Sequence, residues 1–212
     1  MNNERYLTIK EYTRHEIVIK KSRFITTLQR VRTEEEARQF IQEVRKEHYN
    51  ATHNCYAYIV GEDRMLQKSS DDGAPSGTAG IPILEVLRKN NLTDIAAVVT
   101  RYFGGILLGA GGLIRAYGGS VSETLNYAQI IERKRMQIIE ITAEYAGIGL
   151  LESRLDQKSI INKTYLEKVT FEIMVPLEKV DEWEAWFVDL TNAKIPYELK
   201  AVEFIEVPVQ LR

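Results

Sequence analysis

VVTRYFGGILLGAGGLIRAYGG, residues 98–119, runs out of an apolar stretch, through a glycine-rich segment and into a helical period. Val98 and Val99 belong to DIAAVVTRYF, a short and almost wholly apolar run that reads as a strand buried on both faces. Past the glycines, Leu113, Ile114, Tyr117, Val121, Leu125 and Ala128 recur at the spacing of one helix face. Residues 100–119 hold seven of the chain's 13 glycines, a density that demands a cause. Gly104, Gly105, Gly109, Gly111 and Gly112 lie between strand and helix, where they permit positive φ and close approach of another backbone. Gly118 and Gly119 fall inside the helix, where close packing of helix on sheet is the expected reason for them.

Upstream, the chain opens with two strand-like runs, YLTIK and EIVIKKSRFITTLQRV, the second bent or broken around Lys21 to Arg23. Thr33 followed three residues later by Glu36 is a capping box, and Ala37, Phe40, Ile41 and Val44 continue it as a helix. NCYAYIV reads as a strand. IPILEVLRKNN reads as a helix with Pro82 in its first turn and asparagines at its end. Downstream of the basic run Arg133, Lys134, Arg135 the pattern becomes strand, helix, strand, strand, helix, strand. That is the split βαβ order of a ferredoxin-like sandwich. The expectation is an α+β protein of two domains, residues 1–135 and 136–212. On the last helix, Leu177, Val180, Trp183, Phe187 and Leu190 form an apolar stripe, which places the tryptophans in or beside a core.

SDDGAPSGTAG, residues 70–80, links a strand-like run to a helix-like one. Asp71 and Asp72 are the residue types of a divalent cation site or an acid and base pair. Neighbours in a turn point apart, however, and no further cluster supplies oxygen ligands, so neither a metal site nor a catalytic residue is expected. Ser76 lies in GAPSG, which is not the hydrolase elbow, and no histidine is placed beside it. The remaining reading is a run of small residues whose amides and hydroxyls face an anion just before a helix, set against a purely structural turn. The glycine segment fits neither standard nucleotide motif. Gly104 to Gly109 has the P-loop spacing but no lysine follows, and Ile114 stands where the dinucleotide fingerprint needs glycine. Arg101 and Arg115 flank the segment with planar forks suited to phosphate, or pair with surface acids. Tyr102 and Phe103 are placed to stack on bases if exposed, although alternation puts at least one in the core. His53 and Cys55 share one strand face, which raises a thiol and base pair, but the spacing favours a structural role.

With 212 residues, 44% of them hydrophobic and 27% charged, the chain suits a folded globular protein and not a disordered or fibrous one. No run approaches the roughly 18 apolar residues of a membrane span, and the start lacks an apolar signal core. Together with the single Cys55, this predicts a reducing, cytoplasmic setting and excludes an intrachain disulfide. Charge is uneven: 20 Lys and Arg against 16 Asp and Glu through residue 135 give +4, and 8 against 14 afterwards give −6. The first part is the better match for an anionic partner.

Taken together, SDDGAPSGTAG, VVTRYFGGILLGAGGLIRAYGG and HNCYAY closely resemble the YigZ and Impact family. The resemblance implies a first domain with the βαβ fold shared by a ribosomal small-subunit protein and domain IV of elongation factor G. It also implies a ferredoxin-like second domain similar to domain V of that factor. The family's eukaryotic members regulate translation through a partner bound by a separate domain, and that partner is not carried over. What the resemblance implies here is a surface facing nucleic acid or the ribosome. It is carried on Asp71, Asp72, Gly73, Pro75, Gly77, Thr78 and Gly80, with Ser76 among them, and on Arg101, Tyr102, Gly104, Gly105, Gly109, Gly111, Gly112 and Arg115. No cofactor is expected. The leading expectation is a non-enzymatic RNA- or ribosome-binding protein linked to translation. Two others stand beside it: an enzyme acting on a small phosphorylated or nucleotide substrate in a cleft between the two loops, and a regulator that binds a translation-related protein. The oligomeric state is left open.

Overall fold

A computed structural model of the chain describes residues 5–210. The described residues form two compact units, one of those up to 132 together with those from 207 on, and one of residues 133–206.

The first unit contains β1 (Arg5–Ile9), β2 (Thr13–Ile19), β3 (Ser22–Arg30), α1 (Glu34–Glu47), β4 (His53–Val60), β5 (Leu66–Ser70), α2 (Gly80–Lys89), β6 (Ile95–Tyr102) and α3 (Ala110–Leu125). Its sheet has the order β2-β3-β6-β4-β5, with every neighbouring pair antiparallel. The long run that begins at Glu16 breaks at Lys20 and Lys21, which take φ of 46° and 65° and turn β2 back as β3. The forward half of the capping box forms as its spacing predicts, with Thr33 Oγ1 accepting from Glu36 N–H at 3.1 Å, while the Glu36 carboxylate reaches one residue past the cap and accepts from Arg32 N–H at 2.6 Å.

β6 is buried along both faces, which accounts for its unbroken apolar run. Its Ala97 and Val99 join the core beneath α2 and α3, with Ile83, Leu87, Tyr117 and Val121. Ala96 and Val98 join the core beneath α1, with Ala37, Phe40, Ile41 and Val44. The sheet is thus the middle of three layers. β5 has no counterpart in the sequence reading, because LQKSS lacks alternation and pairs only at the sheet edge with β4. The helical glycines also differ from expectation. A Cβ on Gly118 would meet Val86 and Pro82 of α2 at 3.7–3.9 Å, and one on Gly119 would meet nothing within 4 Å. The close partner of Gly118 is a neighbouring helix, not the sheet.

The second unit is built on β7 (Ile130–Ala143), α4 (Ile148–Arg154), β8 (Ile160–Tyr165), β9 (Val169–Pro176), α5 (Val180–Thr191) and β10 (Tyr197–Pro208). Its strands pair in the order β10-β7-β9-β8, the ferredoxin-like arrangement. Alternate residues Ile139 and Ile141 of β7 and Phe171 and Ile173 of β9 pack against Leu151 and Phe187 from the helices. Trp183 stacks on Phe187 at 4.7 Å and meets Tyr197 edge-on at 5.4 Å, so it completes this core. The unit boundaries at 132/133 and 206/207 fall inside β7 and β10. Among the described residues, no helix is long and apolar enough to cross a membrane.

Candidate functional site

The 70–80 loop is organised around its two aspartates. Asp71 reaches forward to the start of α2, where its carboxylate accepts N–H bonds from Gly77 at 2.8 Å, Ala79 at 3.0 Å and Gly80 at 2.8 Å. Burial pushes this carboxyl up, but the three N–H donors outweigh it and hold Asp71 below the usual carboxylate range. Ala79, the residue that caps α2, offers no side-chain acceptor, so Asp71 does that work from eight residues upstream. Asp72 turns the other way. Its carboxylate pairs with Arg45 of α1 and accepts Asn54 N–H at 2.7 Å.

β4 grips the same turn from below. His53 Nδ1–H donates to the Asp72 carbonyl at 2.9 Å, and the Cys55 thiol donates to the Asp71 carbonyl at 3.0 Å. The shared face of His53 and Cys55 therefore serves to hold two consecutive carbonyls and does not bring thiol and imidazole together as a reactive pair. Asp72 and Gly73, at φ of 46° and 82°, carry the reversal. Thr78 ties back to the Pro75 carbonyl through N–H at 3.1 Å and hydroxyl at 2.6 Å. Gly77 supplies a further positive φ, Ser76 is exposed, and a Cβ on Gly80 would lie 2.7 Å from Ser70 backbone.

The amides expected to face an outside anion are thus bonded to the loop's own carboxylate. Both acids are occupied, which removes them as a free base for the enzyme reading. Among the described residues, no group of three or more His, Cys, Asp or Glu is placed to hold a metal ion. Cys55 is fully buried, and burial pushes its thiol up to about 12. Folded protein at pH 8 is therefore expected to resist a thiol reagent such as DTNB and to react fully in denaturant. Fast labelling of the folded chain would contradict that burial.

The 100–119 segment is open where the first loop is closed. Arg101, at the end of β6, is only 6% exposed, and its guanidinium lies 5.4 Å from the Phe24 ring centre and 5.5 Å from that of Phe103. It approaches Ser22 Oγ at 3.5 Å, its Nε has no hydrogen-bond partner, and no carboxylate pairs with it among the described residues. Tyr102 is held in place: its hydroxyl meets His48 Nδ1 at 2.9 Å, and Arg23 covers its ring at 5.2 Å. The aromatic left free to stack is Phe103, 47% exposed, whose N–H donates to Thr52 Oγ1 at 3.0 Å.

Gly104 passes so close to the β2–β3 turn that a Cβ would lie 2.0 Å from the Lys21 carbonyl carbon. Its N–H donates to Ser22 Oγ at 3.1 Å. Gly105 and Gly109 take φ of 82° and 74°, and Leu107 between them is 82% exposed. Gly109 caps α3 without a side chain, and among the described residues no side chain accepts from the first-turn amides of Ala110, Gly111 and Gly112. Arg115 folds back over that turn, its Nη1 lying 3.6 Å from where a Gly111 Cβ would stand. A pocket of about 460 Å³ opens beside the helix start, lined by Thr52, Pro75, Arg101, Phe103, Leu107 and Leu113 among others.

The predicted residues therefore divide. Arg101, Gly109 and Pro75 meet at the pocket, with Gly111, Gly112 and Arg115 on the adjoining helix turn. Asp71, Asp72, Gly73, Ser76, Gly77, Thr78 and Gly80 do not line it. Ser22, Phe24 and Thr52 were missed. They lie about 50 to 80 residues from their partners in the chain, and no local pattern marks them.

The fold and this site define a class: an α+β protein with a ferredoxin-like second domain and a glycine-rich strand-to-helix segment opening on the first domain's surface. The family model described as the Impact N-terminal domain matches residues 20–125, and a second, described as a domain of unknown function (DUF1949), matches 141–194. The chain is 52% identical over 206 residues to IMPACT family member YvyE of Bacillus subtilis, covering 96% of this chain and 95% of that one. It is 41% identical over 192 residues to IMPACT family member YigZ of Escherichia coli, covering 87% and 92%. A crystal structure of a hypothetical protein, 36% identical, superposes with a TM-score of 0.61 over 94% of this chain and 98% of that one. The chain belongs to the IMPACT family.

Proposed function

We propose that this protein binds RNA or the ribosome through the glycine-rich face of its first domain and takes part in the regulation of translation without catalysing a reaction. The observation that carries the reading is the conjunction at the start of α3. Helix amides without a capping side chain, Arg101 and Arg115 without a carboxylate partner among the described residues, and an exposed Phe103 are the chemistry of backbone phosphate and base stacking. The basic balance of residues 1–135 adds attraction for a polyanion, and the family resemblance to regulators of translation points the same way.

The test is binding of the purified protein to ribosomal subunits and to generic RNA across a salt series. Affinity is expected to fall steeply with salt, and Arg115→Ala to weaken binding evenly across sequences while reducing the salt slope by about 1. Absence of binding at low salt would sink the proposal. A second reading is favoured by one observation: Ile106, Leu107 and Ile114 expose apolar side chains along the same segment, as a surface for a translation-related protein does. Salt-insensitive capture of such a protein, lost in Leu107→Asp, would select it.

A further inference from the structure

We infer that the pocket at the start of α3 receives a terminal phosphomonoester attached to a flat body with apolar faces: a nucleoside 5′-monophosphate unit, either free or at the 5′ end of an RNA. The inference rests on the RNA reading above and narrows it to a chain end.

Charge comes first. Arg101 is buried, and burial of a guanidinium charge without a counter-ion is unfavourable. Contact with the faces of Phe24 and Phe103 compensates in part. Asp71 and Asp72 do not supply the counter-ion, because the Asp71 carboxylate is turned to the α2 amides and that of Asp72 to Arg45. Arg101 therefore lines the pocket as a cation lacking its anion. The positive end of α3, a helix of 16 residues capped only by Gly109, meets the same pocket at Gly109 and Ala110. Arg115 does not line the pocket and lies over Gly111 on the adjoining helix turn. A buried guanidinium set beside the amides of a helix start suits the dianion of a terminal phosphate better than the single charge of a phosphodiester.

Shape comes second. Arg101 sits at the buried end of a central strand, so the charged part of the pocket is its floor. An internal phosphodiester carries chain on both sides and would need two ways out, whereas a terminus enters from one. The remaining wall is apolar, with Phe103, Leu107, Leu108, Leu113 and Pro75, and the Thr52 hydroxyl oxygen accepts Phe103 N–H. Such a wall grips a base by its face and offers its edge one hydroxyl, so recognition is chiefly of the end and not of the sequence. At about 460 Å³ the space falls within the range of ordinary small-ligand sites.

The experiment is fluorescence anisotropy at low salt with the full chain and a ten-nucleotide RNA labelled at its 3′ end, carrying either a 5′-phosphate or a 5′-hydroxyl. The phosphorylated end is expected to bind about tenfold tighter or more. That preference is expected to vanish in Arg101→Gln and also in Leu107→Asp, whose exposed position leaves folding intact and sets a carboxylate at the mouth. Equal affinities for the two ends in the wild-type chain overturn the inference and leave the general RNA reading standing. Failure of both RNAs to bind overturns that reading instead, and calorimetry with adenosine 5′-monophosphate against adenosine then decides the pocket alone. Heat from the monophosphate that disappears in Leu107→Asp supports it, and no heat overturns it. Where the 5′-phosphate preference is present, displacement by adenosine 5′-monophosphate identifies a free nucleotide as sufficient, and resistance to displacement identifies the RNA end. Both results support the pocket.

Discussion

Asp71→Ala is expected to lower the free energy of unfolding by about 3 kcal/mol, because one carboxylate satisfies three backbone donors that no other side chain reaches. Asp71→Asn should fall between, since an amide oxygen accepts some of these bonds without the charge. The effect carries a pH signature. The native carboxyl titrates below its unfolded value of about 3.9, so its contribution is complete above that value and is lost as pH falls through the lower native one. Urea unfolding at pH 7 should show the full difference between wild type and Asp71→Ala, and the difference should close below about pH 4. A loss under about 1 kcal/mol at pH 7 would mean that solvent replaces the carboxylate, and the loop would not be the closed knot described above.

Gly104→Ala is expected to cost about 3 kcal/mol or more, a large effect for the addition of one methyl group. The new Cβ would overlap the carbonyl of Lys21 at 2.0–2.1 Å and the nitrogen of Ser22 at 2.4 Å, all of them backbone, so no rotamer change relieves it. Either the β2–β3 hairpin or the 103–109 segment must move, and with it the Phe103 and Arg101 side of the pocket. Gly105→Ala is the comparison. At φ of 82° it is strained, but its Cβ would meet nothing within 4 Å, and a cost of about 1 kcal/mol is expected. Chemical denaturation of the two variants separates steric overlap from backbone conformation. Equal costs would refute the close approach.

Most of the architecture was legible because period and capping are local. Thr33 and Glu36 announce α1 within four residues, the unbroken apolar run of β6 announces burial on both faces, and the strand and helix order after residue 135 announces the ferredoxin-like unit. β5 was hidden because LQKSS earns its place only by pairing with β4. The site was legible in its residue types but not in its assignments. Asp71 and Arg101 both stood out as groups for an external ligand, yet Asp71 turns inward to the α2 amides while Arg101, among the described residues, has no carboxylate partner. What decides between the two is the company each keeps: Gly77 to Gly80 for one, Ser22, Phe24 and Thr52 for the other. Contacts across 50 to 80 residues leave no trace in spacing, so which of two conspicuous charges is satisfied is a tertiary fact.

The positions of the unit boundaries within β7 and β10 bear on how such a chain is assembled. Val209 N–H donates to the Ile130 carbonyl at 3.0 Å, so the strand that leaves the first unit and the strand that re-enters it are bonded neighbours. Residues 133–206 are therefore an insertion, received whole between two partners of one ladder. The pairing of Ile130 with Val209 thus lies wholly within the first unit, on either side of the inserted residues 133–206.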